Sequence, residues 1–245
     1  ERITLIVQPG MRPTPSGTPA PVGVPYGSRA RLIMLYLQSE ALRTGSREIE
    51  LGRSLRMWLG KMGIPPGGKS IAGVRDQAER LSRCILSFNV RSGNLQGLVN
   101  QSIMEKAIFL EMTEPARQHS LFVETARLSE AFYAQLQRHP VPLEDAAIRA
   151  INNNSMALDI YAWLAYRLHA LVAARSISWN ALKPQFGGGF TRRDHFKEQF
   201  LVNLRLALAV YPDAKVDVEE GGLVLHSSRP PVSPRAYPRN IQARR

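Results

Sequence analysis

The sequence predicts a mainly α-helical protein that also contains small β-hairpins, an α+β fold class arranged in two similar units. Apolar residues make up 44% of the 245 residues, which is enough for a buried core and too many for a chain that is disordered throughout. In several segments these residues recur at helical spacing, and in shorter segments they alternate as in a half-buried strand. The two ends of the chain are rich in proline and lack this patterning.

The N-terminal residues 1–26 contain six prolines and three glycines, a composition that predicts a flexible, extended arm. Within it, the run ITLIV at residues 3–7 fits either a short strand or an exposed adhesive end. At the other end, residues 229–245 combine four prolines with five arginines and predict a basic, disordered tail.

The first patterned unit begins with a helix at residues 29–44, where Leu32, Leu35 and Tyr36 lie near one face and Gly45 can end the helix. The following segments predict a strand at 46–51, a short helix at 52–63, a helix at 70–82 and a strand at 84–90. Two later runs could pair with that last strand, LQGLVNQS at 95–102 and KAIFLEM at 106–112.

The second unit repeats this plan. The segments predict helices at 128–140, 143–151 and 157–174, a strand at 176–179, helices at 180–187 and 192–211, and a hairpin at 214–227. The Gly221-Gly222 pair between alternating apolar residues marks the hairpin turn.

In both units a helix, a strand, two further helices and a hairpin follow one another, which is the order of a winged helix-turn-helix domain. The sequence therefore predicts two tandem winged helix-turn-helix domains, at 27–122 and 123–228, between the arm at 1–26 and the tail at 229–245. In such domains one helix enters the DNA major groove, and flanking basic residues contact the phosphates.

The formal net charge of +12 favours a polyanionic partner. Besides the tail, two short segments, 61–83 and 183–205, each carry an excess of three positive charges, and each overlaps the predicted groove-entering helix of its unit. We predict DNA contacts from the basic and hydrogen-bonding residues of these segments. They are Lys69, Arg75, Arg80, Arg83, Lys183, Arg192, Arg193, His195, Lys197 and Gln199.

The residues give no support to an enzyme, and we expect neither catalytic residues nor a cofactor. The five histidines show no metal-ligand spacing with acidic residues or with Cys84, so no metal site is predicted. The single cysteine excludes an internal disulfide, and its apolar surroundings predict a buried, unreactive thiol. No apolar run is long enough for a membrane helix, so we expect no membrane association and a cytoplasmic, bacterial location.

Six stretches resemble the plasmid-encoded RepA replication initiator family. They are PYGSRARL (25–32), TGSREIELGRSL (44–55), RHPVPL (138–143), MALDIYAWLAYRLH (156–169), SWNALKPQFG (178–187) and VDVEEGGLVLHSSRPPV (216–232). The resemblance implies two winged-helix domains that bind repeated double-stranded sites in a plasmid origin, open the adjacent duplex and help to load host replication proteins, including the replicative helicase and initiator. It also implies that a homodimer can form through the first domain, as in related initiators.

Two functions remain open on the sequence alone. The leading hypothesis is a sequence-specific replication initiator. The alternative is a winged-helix transcriptional regulator or autorepressor that binds a promoter operator and does not open DNA.

Overall fold

The computed structural model describes residues 2–65, 67–93, 95–108 and 125–232. Within these residues the chain has a mixed α and β fold with eight helices and four small antiparallel sheets. The sequence predicts the helices well, but it underestimates the β content, because it misses most of the strands near the N-terminus.

The chain divides into two compact units, Glu1–His139 and Pro140–Arg245. The elements of the first unit are β1 (Arg2–Gln8), β2 (Gly10–Arg12), β3 (Ala20–Gly23), α1 (Gly27–Thr44), β4 (Glu48–Glu50), α2 (Gly52–Lys61), α3 (Gly68–Arg83), β5 (Ile85–Ser92), β6 (Leu95–Ser102), β7 (Met104–Ile108), β8 (Thr125–Leu128) and α4 (Glu130–Arg138). Those of the second unit are α5 (Asp145–Ala150), α6 (Ser155–Leu168), β9 (Arg175–Ser178), α7 (Trp179–Phe186), α8 (Arg193–Ala209), β10 (Val216–Val218) and β11 (Gly222–Leu225).

The division between the units differs from the predicted one. The predicted boundary at 122/123 lies outside the described residues, and the division falls at 139/140. The reason is that β8 pairs with both β4 and β7 and that α4 packs against α1, so residues 125–138 belong to the first unit.

The two units share one sheet plan. In the first unit β8 lies between β4 and β7, and in the second unit β11 lies between β9 and β10. All four pairings are antiparallel. Each unit therefore contains the order helix, strand, helix, helix, strand, strand, with the last strand at the centre of its sheet. The first unit adds β1–β3 before this order, β5 and β6 between α3 and β7, and α4 after it, and the second unit adds α5 before it.

The N-terminal arm is ordered, which corrects the prediction of a flexible segment at 1–26. Strand β1 pairs antiparallel with β5, from Arg2 opposite Arg91 to Gln8 opposite Ile85. Strands β2 and β3 form a hairpin that contacts α3. The alternation of apolar residues in β1 suits a strand, and backbone pairing can order a segment that has no core of its own.

Of the two candidate partners for β5, the first is correct. Strand β6 covers residues 95–102 and pairs with β5 along its whole length. The described part of the second run lies in β7, which pairs with β8 instead, and residues 109–112 lie outside the described residues.

Buried apolar side chains hold each unit together. In the first unit Leu32, Ile33 and Leu37 of α1 are fully buried, and in the second unit α6 packs on α8 around Phe196 and Phe200. Helix α6 ends at Leu168, six residues before the predicted end, because its last turn tightens and the Leu168 carbonyl accepts a hydrogen bond from the Ser228 amide.

In the part of the chain that the structure describes, none of the helices is both long and apolar enough to cross a bilayer.

Candidate nucleic-acid interface

A surface groove in the second unit lies where the first turns of α7 and α8 meet the turn between β10 and β11. Its volume is about 790 Å³. The residues that line it are Ser178, Trp179, Asn180, Arg192, Arg193, Asp194, Lys197, Glu220 and Gly221. Three of the ten residues predicted from the sequence, Arg192, Arg193 and Lys197, therefore come together in one place.

Trp179 fixes the hairpin turn to the start of α7. Its side chain is buried, and its indole Nε1 donates a hydrogen bond of 3.0 Å to the carbonyl oxygen of Glu220. Its backbone amide donates to the carbonyl of Gly221 at 3.1 Å, and the Ser178 side chain caps the helix by accepting from the amide of Ala181. The floor of the groove is thus a preformed junction of helix and hairpin.

Gly222 allows the close approach of two strands beneath this turn. A Cβ atom at position 222 would lie 2.0 Å from the carbonyl oxygen of Ile177 on the neighbouring strand β9. A larger residue cannot occupy this position without displacing the backbone of the sheet.

The groove contains both signs of charge at its mouth. Arg192 donates from Nε to the Asp194 carboxylate at 3.1 Å, and a second guanidinium nitrogen contacts the other carboxylate oxygen. This hydrogen bond, with help from the backbone amide of His195, lowers the pKa of Asp194 to about 2, and it raises the pKa of Arg192. Both side chains are largely exposed, so solvent screens the pair.

Arg193 and Lys197 have different partners. Arg193 is exposed, and its Nη1 donates to the Asn180 side-chain oxygen at 3.3 Å, which links the starts of α8 and α7. The Lys197 ammonium lies over the Trp179 ring, 5.2 Å from the centroid, and 3.5 Å from the carbonyl oxygen of Glu220. Both cations therefore lie beside the hairpin turn.

The other predicted residues of this unit lie outside the groove lining. His195 is exposed, and its ring packs edge-on against Phe190 with centroids 6.0 Å apart. Gln199 is half-buried on α8, and Lys183 is half-buried on α7. His195 follows Arg192 and Arg193 on the exposed start of α8, the part of a groove-entering helix from which base contacts are expected.

In the first unit the four predicted residues share α3 but differ in their surroundings. Lys69 is exposed in the first turn, and Arg75 is half-buried in the middle of the helix. Arg80 and Arg83 contact the arm: Arg80 donates to the carbonyl of Val24 at 3.4 Å, and Arg83 donates to that of Met11 at 3.0 Å. Two of the four therefore face the hairpin β2–β3.

Trp179, Asn180, Asp194 and Glu220 line the groove, but they are not among the site residues that the sequence predicts. The acidic residue two positions after Arg192 is a signal that the sequence does contain, since acidic side chains favour the first turn of a helix. Asn180 and Glu220 come from other elements, and only the tertiary structure places them here.

The arrangement suits the binding of a phosphate-bearing polymer. Arginine presents several N–H donors in a planar fork that fits phosphate oxygens or a guanine edge, and the free amides at the start of a helix favour anions. Among the described residues, no three His, Cys, Asp or Glu side chains are grouped so that they could hold a metal ion.

Comparison with known families identifies the chain. The sequence model of a family described as plasmid encoded RepA protein matches residues 24–181, which is more than half of the chain. The chain belongs to the plasmid-encoded RepA protein family. The resemblance of the six sequence stretches to RepA is thereby confirmed. The matched region of this RepA chain covers the helices of the first unit and extends to the start of α7.

One solved structure shares the fold of this RepA chain. A crystal structure of domain 2 and domain 3 of RctB aligns with a TM-score of 0.55 and 10% identity, over 91% of this chain and 92% of that one. Another crystal structure, of RctB domains 2-3, aligns with a TM-score of 0.48 and 10% identity, over 89% and 88% of the two chains. At 10% identity, the alignment with a TM-score of 0.55 shows a similar fold and nothing more. No curated protein matches this sequence.

Proposed function

We propose that this RepA family member is a plasmid replication initiator that binds repeated double-stranded DNA sites in its origin. The observation that carries the proposal is the groove of the second unit. There Arg192, Arg193 and Lys197 lie together between the start of an exposed helix and the turn of a hairpin. Membership of a plasmid-encoded family supports a plasmid origin as the target.

We further propose that each unit is a winged helix-turn-helix domain. The shared element order and the shared sheet plan, with the last strand at the centre, support this interpretation. In the second unit α7 and α8 would then form the helix-turn-helix, and β10 and β11 would form the wing. In the first unit α2 and α3 take the corresponding positions, and β7 and β8 form the wing.

In this proposal the second unit provides the best-defined contacts. The N-terminal part of α8 lies in the major groove, where Arg192 and His195 reach base edges. Arg193 and Lys197 contact phosphates, because their contacts with Asn180 and Trp179 direct them towards α7 and the hairpin turn. The protein acts in the cytoplasm by binding and deforming DNA, it has no catalytic residues of its own, and it recruits the host helicase and initiator.

The first experiment measures DNA binding by the full-length Arg192→Ala/Arg193→Ala variant. The probes are duplex fragments that tile the replicon encoding the protein, and affinities are measured over a salt series. We expect weaker binding and a salt slope that is smaller by about one unit for each phosphate interaction that the substitutions remove. Arg149→Ala on α5 removes an exposed arginine of the same unit and serves as the control. Equal affinities and slopes for the double variant and the wild type would contradict the site assignment.

A second experiment separates initiation from transcriptional repression by a protein of the same fold. Permanganate reports unpaired thymines, so it detects whether the bound protein opens AT-rich DNA beside its sites. Oxidation adjacent to the protected repeats supports an initiator. Protection without any melted region would instead indicate a regulator that binds an operator.

A further inference from the structure

The outer face of α3 in the first unit carries a pair of arginines that the arm covers. The hairpin β2–β3 contacts this helix: Arg83 donates to Met11 of β2, and Arg80 donates to Val24, the residue that follows β3. By the shared sheet plan, α3 takes the place in the first unit that α8 takes in the second. The C-terminal part of this face, which carries Arg80 and Arg83 in the last turn of α3, is therefore covered by another part of the same chain.

Two glycines show how close this contact is. Gly10 and Gly23 lie opposite each other in the hairpin. A Cβ atom on Gly10 would lie 2.2 Å from the backbone oxygen of Arg83, and one on Gly23 would lie 2.1 Å from Nη1 of Arg80. The hairpin rests directly on the helix, and this leaves no room for a DNA strand between them.

Polar interactions join the hairpin to the helix. Arg83 donates to the Met11 carbonyl at 3.0 Å, Arg12 forms an ion pair of 3.6 Å with Glu79, and the Tyr26 amide donates to the Gln77 side chain at 2.8 Å. Arg80 lies 5.1 Å from the centroid of the Tyr26 ring. The arm residue Met11 remains half exposed, so it adds little apolar burial to the contact.

A contact of this kind can be reversed. Ion pairs at a surface are individually weak and are screened by salt, and a two-stranded hairpin has little stability of its own. Phosphate oxygens accept the same guanidinium hydrogens that now go to the Met11 and Val24 carbonyls. Arg80 and Arg83 are also paired through Nε with Asp76 and Glu79 of α3, at 2.9 and 3.2 Å. DNA would therefore compete with the arm carbonyls for the Nη1 atoms of both arginines and with these carboxylates for the Nε atoms.

We propose that the outer face of α3 is a second duplex-DNA-binding surface and that the hairpin β2–β3 covers it until DNA displaces the hairpin. This inference rests on the proposed function, since it needs the second unit to bring DNA to the protein. Lys69, exposed at the start of α3 beyond the hairpin contacts, gives the phosphates a first point of attachment. The second unit then binds with its groove open, and the first unit binds only after its cover has moved.

The test compares full-length variants that weaken the cover without changing any charge. Gly10→Val forces the hairpin away from the α3 backbone, and Gly23→Val strains the hairpin itself, because Gly23 has a φ of +82°. Thr18→Val changes an exposed residue of the same segment and is the control. With duplex fragments that tile the replicon, we expect both glycine variants to bind at least about threefold more tightly than the control, with a steeper salt slope. Affinity and slope equal to those of the control would overturn the proposal.

Hydrogen exchange of the wild-type protein provides a test that needs no substitution. On addition of the tightest-binding fragment, the amides of β2 and β3 should exchange at least about tenfold faster, whereas those of β1 should stay protected. Unchanged or increased protection of β2 and β3 would overturn the proposal even where the wild type binds DNA well. Absence of wild-type binding to every fragment would instead contradict the proposed function, so the two failures are distinguishable.

Discussion

The ammonium group of Lys197 lies over the indole ring of Trp179, 5.2 Å from its centroid, and joins α8 to the start of α7. The same Trp179 holds the hairpin turn through its indole hydrogen bond to Glu220. Lys197 is therefore a cation whose position is set by the packing of three elements.

The first prediction concerns this lysine. Lys197→Met keeps an unbranched apolar side chain over the ring and removes the charge, so we expect the unit to stay folded while DNA affinity falls and the salt slope decreases by about one. Fluorescence anisotropy with a labelled duplex over a salt series measures both quantities. Lys215→Met, an exposed lysine just before β10 and outside the groove lining, is the control. A salt slope that does not differ between the two variants would rule out a phosphate contact by Lys197.

The second prediction concerns the pKa of Asp194. Because Arg192 lowers this pKa to about 2, the pair stabilises the folded state above the ordinary aspartate pKa of about 3.9, and this stabilisation disappears as the pH falls towards 2. Carboxyl carbon chemical shifts followed by NMR should give a midpoint near 2 for the wild type. In Arg192→Ala the midpoint should rise towards the ordinary value of 3.8. A midpoint that is the same in both proteins would show that Arg192 does not hold the carboxylate in solution.

The third prediction concerns Cys84. Its side chain is 1% exposed, and burial raises the pKa of its thiol. We expect a disulfide reagent at pH 8 to label the native protein at least about a hundredfold more slowly than the protein unfolded in guanidinium. Leu81→Ala, which removes a buried neighbour whose carbonyl accepts the thiol hydrogen bond, should accelerate labelling of the native state. Rapid labelling of the native wild type would show that the thiol is accessible.

The fourth prediction concerns the aromatic core of the second unit. Phe200 is fully buried, and its ring contacts those of Trp179, Phe186 and Phe196 at centroid distances of 5.8, 5.3 and 5.6 Å. Phe200→Ala should lower the free energy of unfolding by about 3–5 kcal/mol, because it creates a cavity that these rings cannot fill. Val202→Ala, at a position that is 44% exposed on the same helix, should change it by less than about 0.5 kcal/mol. Urea denaturation followed by circular dichroism measures the difference.

Local patterns predict most of the second unit. The apolar spacing of residues 192–211 and the alternation around Gly221-Gly222 identify α8 and the hairpin β10–β11, because both signals lie within a few residues of the chain. The sequence places the end of α6 at residue 174, six residues beyond its actual end at Leu168. A carbonyl satisfied by Ser228, 60 residues away in the sequence, leaves no local signal.

Local sequence patterns do not predict the structure of the N-terminal arm. Its prolines and glycines carry no helical or alternating period, yet Gly23 and Gly10 are placed by contact with Arg80 and Arg83 of α3, which lie 57 and 73 residues further along the chain. The sequence likewise predicts only part of the groove. Arg192, Arg193 and Lys197 can be identified from their position on one basic helix, whereas Asn180 and Glu220 join them only through tertiary folding.

The pairing of β1 with β5 also sets an order of events during synthesis. Arg2 lies opposite Arg91 and Gln8 lies opposite Ile85, so β1 leaves the ribosome well before β5 and meets it only after more than seventy further residues have been added. Closing so long a loop costs entropy that local helix formation does not, and this makes the strand late to fold. Until then its unpaired backbone is available to chaperones and to other nascent chains.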